Sequence, residues 1–366
     1  MKNTFGNSVS VTLFGESHGA GIGAVLDGIA PGIPVDEEFI AAQMRKRLSL
    51  PDISTARRES DRVEIISGVY QGKTTGTPVS VLIRNENARS GDYQPIAQLA
   101  RPGHADHTGY VKYGGYNDPR GGGHFSGRIT AGLVAVGAIA LSALHEKGIE
   151  VATHIARCGG ITDRPFADDI AADMKKLAGR EFAVLDDAAA QRMREKIVEA
   201  KKDGDSVGGV LESVVTGVPA GVGEPWFDSL ESVLSHILFA VPGVKGVEFG
   251  DGFGLCDLRG SEANGSLRVK NGEICVENDR MGGIYGGISS GAPLKLRIAV
   301  KPTPSIFKEQ KTVDFINGTN EDIQITGRHD PAIVHRCRVV ADSCIALALC
   351  DMLAQRFGTN YSGESI

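Results

Sequence analysis

The hydrophobic pattern changes period several times along the chain. Ser8-Val9-Ser10-Val11-Thr12-Leu13-Phe14 alternates polar and apolar positions, which predicts a half-buried strand. A glycine-rich stretch, residues 15–23, leads to a second strand-like run, Ala24-Val25-Leu26. Gly28, Pro31, Gly32 and Pro34 then signal a turn. Residues 36–48 read as a helix, acidic in the first turn and basic in the last, as the helix dipole favours. Residues 63–66 and 78–83 predict strands around the turn-rich 72–76. Residues 129–145 predict an apolar helix, and residues 186–203 an amphipathic one stopped by Gly204. A strand at 207–215 and a helix at 228–239 follow. An apolar helix at 341–355 comes last, before a short polar tail from about 357. No strict βαβ rhythm and no short repeat appear, so the expected fold is α+β, a single domain over 1–366. Residues 100–127 match neither period. They are expected to form one long loop rich in glycine and histidine, the kind of segment that carries function.

Composition narrows the function. Of 366 residues 41% are hydrophobic and 23% charged, which excludes wholesale disorder. The net charge of −6 argues against a nucleic-acid binder but leaves room for a local cationic pocket. The apolar run 131–144 is broken by Gly132, Gly137 and Ser142 and falls short of the about 20 residues a bilayer requires, so no membrane partner is expected. Six cysteines without a CxxC pair, and no apolar leader after Met1-Lys2-Asn3-Thr4, point to reduced thiols in the cytoplasm. Glycine is the outlier: 48 residues, in short clusters that suit tight turns and close approach of backbone to ligand.

Two familiar patterns fail on context. Gly19-Ala20-Gly21-Ile22-Gly23-Ala24 matches a dinucleotide fingerprint, but no helix follows it. Gly68-Val69-Tyr70-Gln71-Gly72-Lys73-Thr74 has three residues between its glycines where a P-loop has four, and reads as a strand-to-strand turn.

Five clusters can carry chemistry. Gly15-Glu16-Ser17-His18-Gly19 exposes a histidine, an acid or base near neutral pH, at the end of the first strand. Arg101-Pro102-Gly103-His104-Ala105-Asp106-His107 could ligate a metal, or set acid–base groups beside an anion-binding arginine; the latter is favoured, because nothing else completes a metal site. Residues 118–128, with Gly121-Gly122-Gly123 ahead of a helix, form an anion cradle or a hinge. The glycine pairs at 282–283 and 286–287, followed by Lys301 and Ser305, suit a flat phosphorylated ligand. Gly327-Arg328-His329-Asp330-Pro331 places cation, imidazole and carboxylate side by side. Together they describe an enzyme for a phosphorylated ligand; they do not name the reaction.

These blocks, in this order, resemble the chorismate synthase family. GESHG stands at 15–19, RPGHAD at 101–106 and GRHDP at 327–331, with KGVEFGDGF at 245–253 between them. The resemblance implies a β-α-β sandwich and a lyase. The reaction it implies is the 1,4-anti elimination of phosphate from 5-enolpyruvylshikimate 3-phosphate to give chorismate, the last step of the shikimate pathway. It further implies reduced FMN as cofactor and a homotetramer. No second domain resembling a flavin reductase is visible, so the chain is expected not to reduce its own FMN with NADPH and to need an external reductant. Residue by residue, the resemblance makes His18 the acid for the leaving phosphate, places His104 at the flavin and makes Asp330 part of the C6 proton removal. It assigns Ser17, Arg47, Arg101, Arg128 and Arg328 to substrate, and Ser126, Gly127, Asn264, Gly286, Lys301 and Ser305 to the flavin. Departures stand beside the matches. Asp52 occupies a position where the family has an arginine, and Phe125 replaces a serine. An unpaired carboxylate there would repel a trianion, with Lys46 or Arg57 as replacement cations. These changes carry the alternative expectation, a non-catalytic flavin- or anion-binding relative.

Overall fold

A computed structural model describes residues 2–54, 61–86, 98–270, 272–325 and 329–363. The chain runs β1 (Thr4–Phe5), β2 (Ser10–Gly15), β3 (Gly21–Asp27), α1 (Glu37–Arg45), β4 (Glu64–Ser67), β5 (Val69–Tyr70), β6 (Lys73–Thr74), β7 (Val79–Arg84), α2 (Asp106–Tyr113) and α3 (Thr130–His145). It continues through β8 (Glu150–Cys158), β9 (Ile161–Thr162), α4 (Ile170–Ala178), α5 (Asp187–Lys202), β10 (Gly209–Thr216), α6 (Leu230–Phe239) and β11 (Val244–Phe249). Then come α7 (Gly260–Ala263), the hairpins β12 (Ser266–Lys270)–β13 (Glu273–Glu277) and β14 (Ile284–Tyr285)–β15 (Ile288–Ser289), β16 (Leu294–Val300), the hairpin β17 (Gln310–Asp314)–β18 (Thr319–Ile323), and α8 (Val334–Phe357).

Two antiparallel five-stranded sheets, ordered β1-β2-β3-β7-β4 and β11-β16-β10-β8-β9, enclose a layer of helices. α3 packs on β3 and β7, α8 packs on β8 and β10, and the two helices pack on each other. Almost all of α3 is buried, with polar residues only at its ends and at Ser142, because both flanks are apolar. Segment 127–145 is apolar and long enough to cross a membrane, but nearly all of it is buried inside the fold. Glycines permit the close crossings. A methyl at Gly132 would lie 2.8 Å from the Gly23 backbone, and Gly137 abuts Ser343 of α8. Gly137 facing Ser343 and the Ala140 carbonyl facing Cys350 show that α3 and α8 run in the same direction, so both helices begin at one end of the sandwich.

The α+β expectation holds. Asp36, Asp186 and Ser229 cap α1, α5 and α6, so the sequence reading placed those helices within one or two residues of their starts. The Gly68–Thr74 stretch is the tight hairpin β5–β6, with Gln71 and Gly72 both at positive φ. Two expectations are corrected. Residues 100–127 are not a structureless loop, since they contain α2 and a compact turn at 120–125 whose three glycines all hold positive φ. The helix was masked because its glycines serve packing: Gly109 lies under the Phe125 ring, and Gly114 is the left-handed C-cap. The last helix begins at Val334, seven residues before the apolar run suggested, because His335, Arg336 and Arg338 break that run while remaining helical.

Candidate active site

β2 ends at Gly15, and the chain turns through Ser17 and His18 before β3. The glycines at 121–123 press against this turn. All three have positive φ, 58°, 84° and 52°. A methyl on Gly121 would collide with the His18 ring and crowd Ser17 Oγ, while one on Gly122 would meet His104 Cε1 at 3.1 Å. Adjacent glycines therefore touch His18 on one side and His104 on the other. The segment is fastened to the turn: Ser17 donates its N–H to the Gly123 carbonyl at 3.1 Å, and His124 Nδ1 bonds the Gly15 carbonyl at 2.8 Å. Ser17 and His18 are both buried.

The second histidine sits in a tight polar knot. Asp106 Oδ2 accepts from the Arg101 backbone N–H at 2.9 Å and from Arg101 Nε at 2.8 Å. Its Oδ1 accepts from Arg101 Nη2 at 2.7 Å and from His104 Nδ1 at 2.8 Å. Burial pushes the Asp106 carboxyl up, but these hydrogen bonds more than reverse it and hold the group well below the usual carboxylate range. Lys301, just past β16, donates to the Gly103 carbonyl, and Gly103 packs against Pro304, so the 301–305 segment lies on the Arg101–His104 turn. β17 backs the same turn through the Ala100 N–H to Val313 carbonyl bond, 3.2 Å.

The arginines form a third group. Asp61 takes Arg47 Nη1 at 3.0 Å on one oxygen and Arg128 Nη1 on the other, and Arg47, Asp61 and Arg128 are only 5%, 8% and 9% exposed. Burial, opposed by Asp61 and reinforced by Arg336 and Arg128, draws the Arg47 guanidinium down to about 10, still cationic at neutral pH. Arg47 Nη2 also reaches the Gly127 carbonyl (3.3 Å) and Thr130 Oγ1 (3.2 Å). Asn85 joins the groups: its Oδ1 accepts from Arg128 Nε at 3.1 Å, and its Nδ2 donates to the Glu16 and Gly19 carbonyls. Asp330 pairs with Arg336 Nη1 at 2.5 Å, and Arg336 Nε donates to the Arg47 carbonyl at 2.7 Å. The first turns of α3 and α8 thus open onto a cationic cluster, where their amide ends add positive potential.

His18, Ser17, His104, Arg101, Arg47, Arg128, Asp330, Ser126, Gly127, Lys301 and Ser305 are placed around this end of the sandwich. Ser126 caps the turn Gly127–Ile129, and Ser305 is buried beside the Lys301 segment. Arg328 and Arg57 lie outside the described residues. Asn264 and Gly286 are not brought to the cluster. Gly282 meets the Lys295 carbonyl and Gly283 the Pro293 carbonyl at the Leu294 end of β16, and Gly250 bonds Lys295, so the β14–β15 hairpin and the segment leading to α7 stand at that end. Lys301 follows the other end, six residue steps or roughly 20 Å away.

Two further readings are corrected by the geometry, and the disfavoured metal reading finds no support among the described residues. Asp52 is not an unpaired carboxylate facing the cluster, because it pairs with Arg194 of α5 at 2.7 Å, and that bond outweighs slight burial to hold its carboxyl low. Lys46 does not replace a missing cation. It bonds Gln43 at 2.8 Å and is buried toward Asp342 and Arg338 of α8. His107 turns to Phe315 while His104 and Asp106 bond each other, so these three side chains do not converge on a metal position. Asp61, Asn85 and Arg336 were missed in the sequence. Only Arg336, six residues after Asp330 at a helix start, carried a signal.

The family model for chorismate synthase matches residues 9–354. This chain belongs to the chorismate synthase family. It is 45% identical over 353 residues to the chorismate synthase of Methanocella arvoryzae, covering 96% of this chain and 94% of the relative. It is likewise 45% identical over 360 residues to that of Dehalococcoides mccartyi, covering 98% of each. A solved chorismate synthase crystal structure shares the fold with a TM-score of 0.75 at 26% identity, over 96% of this chain and 94% of the solved one. The chain is a carbon–oxygen lyase with chorismate synthase function, in the shikimate pathway of aromatic amino acid biosynthesis.

Proposed function

We propose that the cluster at the start of α3 and α8 binds 5-enolpyruvylshikimate 3-phosphate and reduced FMN and carries out the 1,4-anti elimination. The observation that carries this reading is the triple glycine, which packs His18 and His104 against adjacent backbone positions beside buried Arg101. The substrate brings a phosphate and two carboxylates. Arg47 and Arg128, sharing the single charge of Asp61, retain one net positive charge toward it, and Arg101 and the helix amide ends add to that potential. His18 is the acid for the departing phosphate oxygen. Asp330, steadied by Arg336, takes part in accepting the proton lost from C6. Ser17 orients substrate beside His18. Arg328 completes the substrate set.

The residues fit a flavin phosphate. Among the described residues, the buried Thr303 hydroxyl has no hydrogen-bond partner, and it lies between Lys301 and Ser305, so the segment offers an ammonium and hydroxyl donors to an anion. FMN, when bound in its reduced form, supplies electron density transiently as the C–O bond breaks. His104 follows Gly103, which Lys301 bonds, while Ser126 and Gly127 stand beside Arg128 and Arg47 and would serve the flavin from there. Asn264 and Gly286, at the far end of β16, would reach a flavin through a neighbouring copy, which supports assembly of copies such as the homotetramer. Exposed Trp226, Phe227, Phe253, Leu267, Val269 and Ile274, in the segments around that far end, supply apolar surface for the contact. Residues 1–366 act as one domain, supplied with reduced flavin by an external reductant. The six free cysteines suit a cytoplasmic location.

The test is single-turnover chorismate formation with photoreduced FMN by His18→Ala and His104→Ala. Each variant should lose about 100-fold or more in rate, the usual contribution of a placed acid or base. Rates within threefold of the parent for both would move the chemistry elsewhere. The alternative, a flavin- or anion-binding relative without turnover, rested on Asp52 and Phe125. Pairing of Asp52 with Arg194, and packing of Phe125 on Gly109 of α2, give both residues structural roles instead.

A further inference from the structure

We propose that Asp106 is a positioning residue: it sets the tautomer of His104 and locks the Arg101 guanidinium beside it. The inference rests on the reading that His104 faces the ligands, and extends it to the group that orients the ring. Among the described residues, all four hydrogen bonds to the Asp106 carboxylate come from these two residues. An ionised carboxylate only accepts, so the proton on its 2.8 Å bond to His104 must sit on Nδ1. Arg101 Nη2 lies 3.1 Å from the same Nδ1. Two donors face each other there, so that contact is proximity rather than a hydrogen bond. Nε2 is thereby left as the reacting face, and it is the nitrogen beside Gly122. Asp106 is also the first residue of α2, where the helix amide end favours a carboxylate. The arrangement keeps Arg101 and Asp106 neutral as a pair and leaves the imidazole free to gain or offer a proton only at Nε2.

Nitrogen NMR of protein labelled at histidine, with the His104 signals assigned by their loss in His104→Asn, reads the tautomer directly. At a pH where the ring is neutral, wild-type His104 should show the proton on Nδ1. Asp106→Ala should shift it to Nε2 or to a mixture, and Asp106→Asn should lose at least about tenfold in kcat/KM. A wild-type ring protonated on Nε2, or the same tautomer in wild type and Asp106→Ala, overturns the proposal. If Asp106→Ala does not fold, the wild-type spectrum still decides. The tautomer is read without substrate or flavin, so its outcome stands apart from the activities of His18→Ala and His104→Ala.

Discussion

Gly121→Ala is the sharpest single perturbation. The added methyl would fall well inside 3.0 Å of both Cε1 and Nδ1 of His18 and 3.1 Å from Ser17 Oγ. Ordinary carbon contact begins at 3.4 Å, so the ring must retreat by about 1 Å. Gly121 also holds φ 58°, which costs a residue with a Cβ about 1 kcal/mol. Gly122→Ala is the internal control. It bears the same kind of backbone cost at φ 84°, but its methyl would meet His104 at 3.1 Å, a displacement of a few tenths of an ångström. Gly121→Ala should therefore be the less stable of the two, by about 1–3 kcal/mol for the overlap with a buried ring, and the two should differ greatly in turnover. A misplacement of 1 Å at a reacting group costs about 100-fold, so Gly121→Ala should lose about that in kcat, and Gly122→Ala clearly less. The assay is chorismate formation with reduced FMN under anaerobic conditions, beside thermal melts of both variants. Equal kcat for the two variants, or a Gly121→Ala enzyme within threefold of wild type, would refute the claim that the triple glycine sets the His18 ring.

Asp52→Ala should keep kcat/KM within about twofold and change stability by less than about 1 kcal/mol, since the residue makes a surface ion pair with Arg194. A gain of tenfold or more in substrate affinity would show instead that Asp52 repels the substrate. Gly137→Ala should destabilise by about 1–3 kcal/mol, because its methyl would overlap Ser343 Cβ, and Ser343→Gly in the same chain should restore part of the loss. Strictly additive denaturation free energies would disprove that contact. Burial, aided by the charges of Arg336 and Arg194, depresses the His335 imidazole to about 4 from an ordinary 6.5. The folded ring stays neutral while the unfolded one takes up a proton, so stability is lost as pH falls from 6.5 toward 4, by about 3 kcal/mol. Urea unfolding of His335→Gln should show a correspondingly shallower loss over that window, and parallel curves for the two proteins would contradict it.

Much of the candidate site was legible because its residues stand in short blocks whose chemistry is local. Glycines beside His18, and an arginine, histidine and carboxylate within six residues of one another, announce a ligand whatever the fold. The supporting residues were not legible for the opposite reason. Asp61 matters because β4 and α1 bring it between Arg47 and Arg128, which are 81 positions apart, and Asn85 because β7 ends beside the His18 turn. The same logic explains the missed helix α2. Glycine lowers helix propensity, but Gly109 is required by the Phe125 ring, so tertiary packing overrode the local signal. The early start of α8 was hidden because His335, Arg336 and Arg338 are polar yet largely buried, and their partners come from distant segments. Asp52 misled in the other direction: its charge was evident, while Arg194, its partner, lies 142 positions away.

The most direct measurement is anaerobic turnover of 5-enolpyruvylshikimate 3-phosphate by the purified chain with chemically reduced FMN, following chorismate and inorganic phosphate together. The account predicts equal amounts of both products, many turnovers per flavin and no net flavin oxidation. Tight binding of reduced FMN with neither product released would contradict it, and would make this chain a binding relative within a family of lyases.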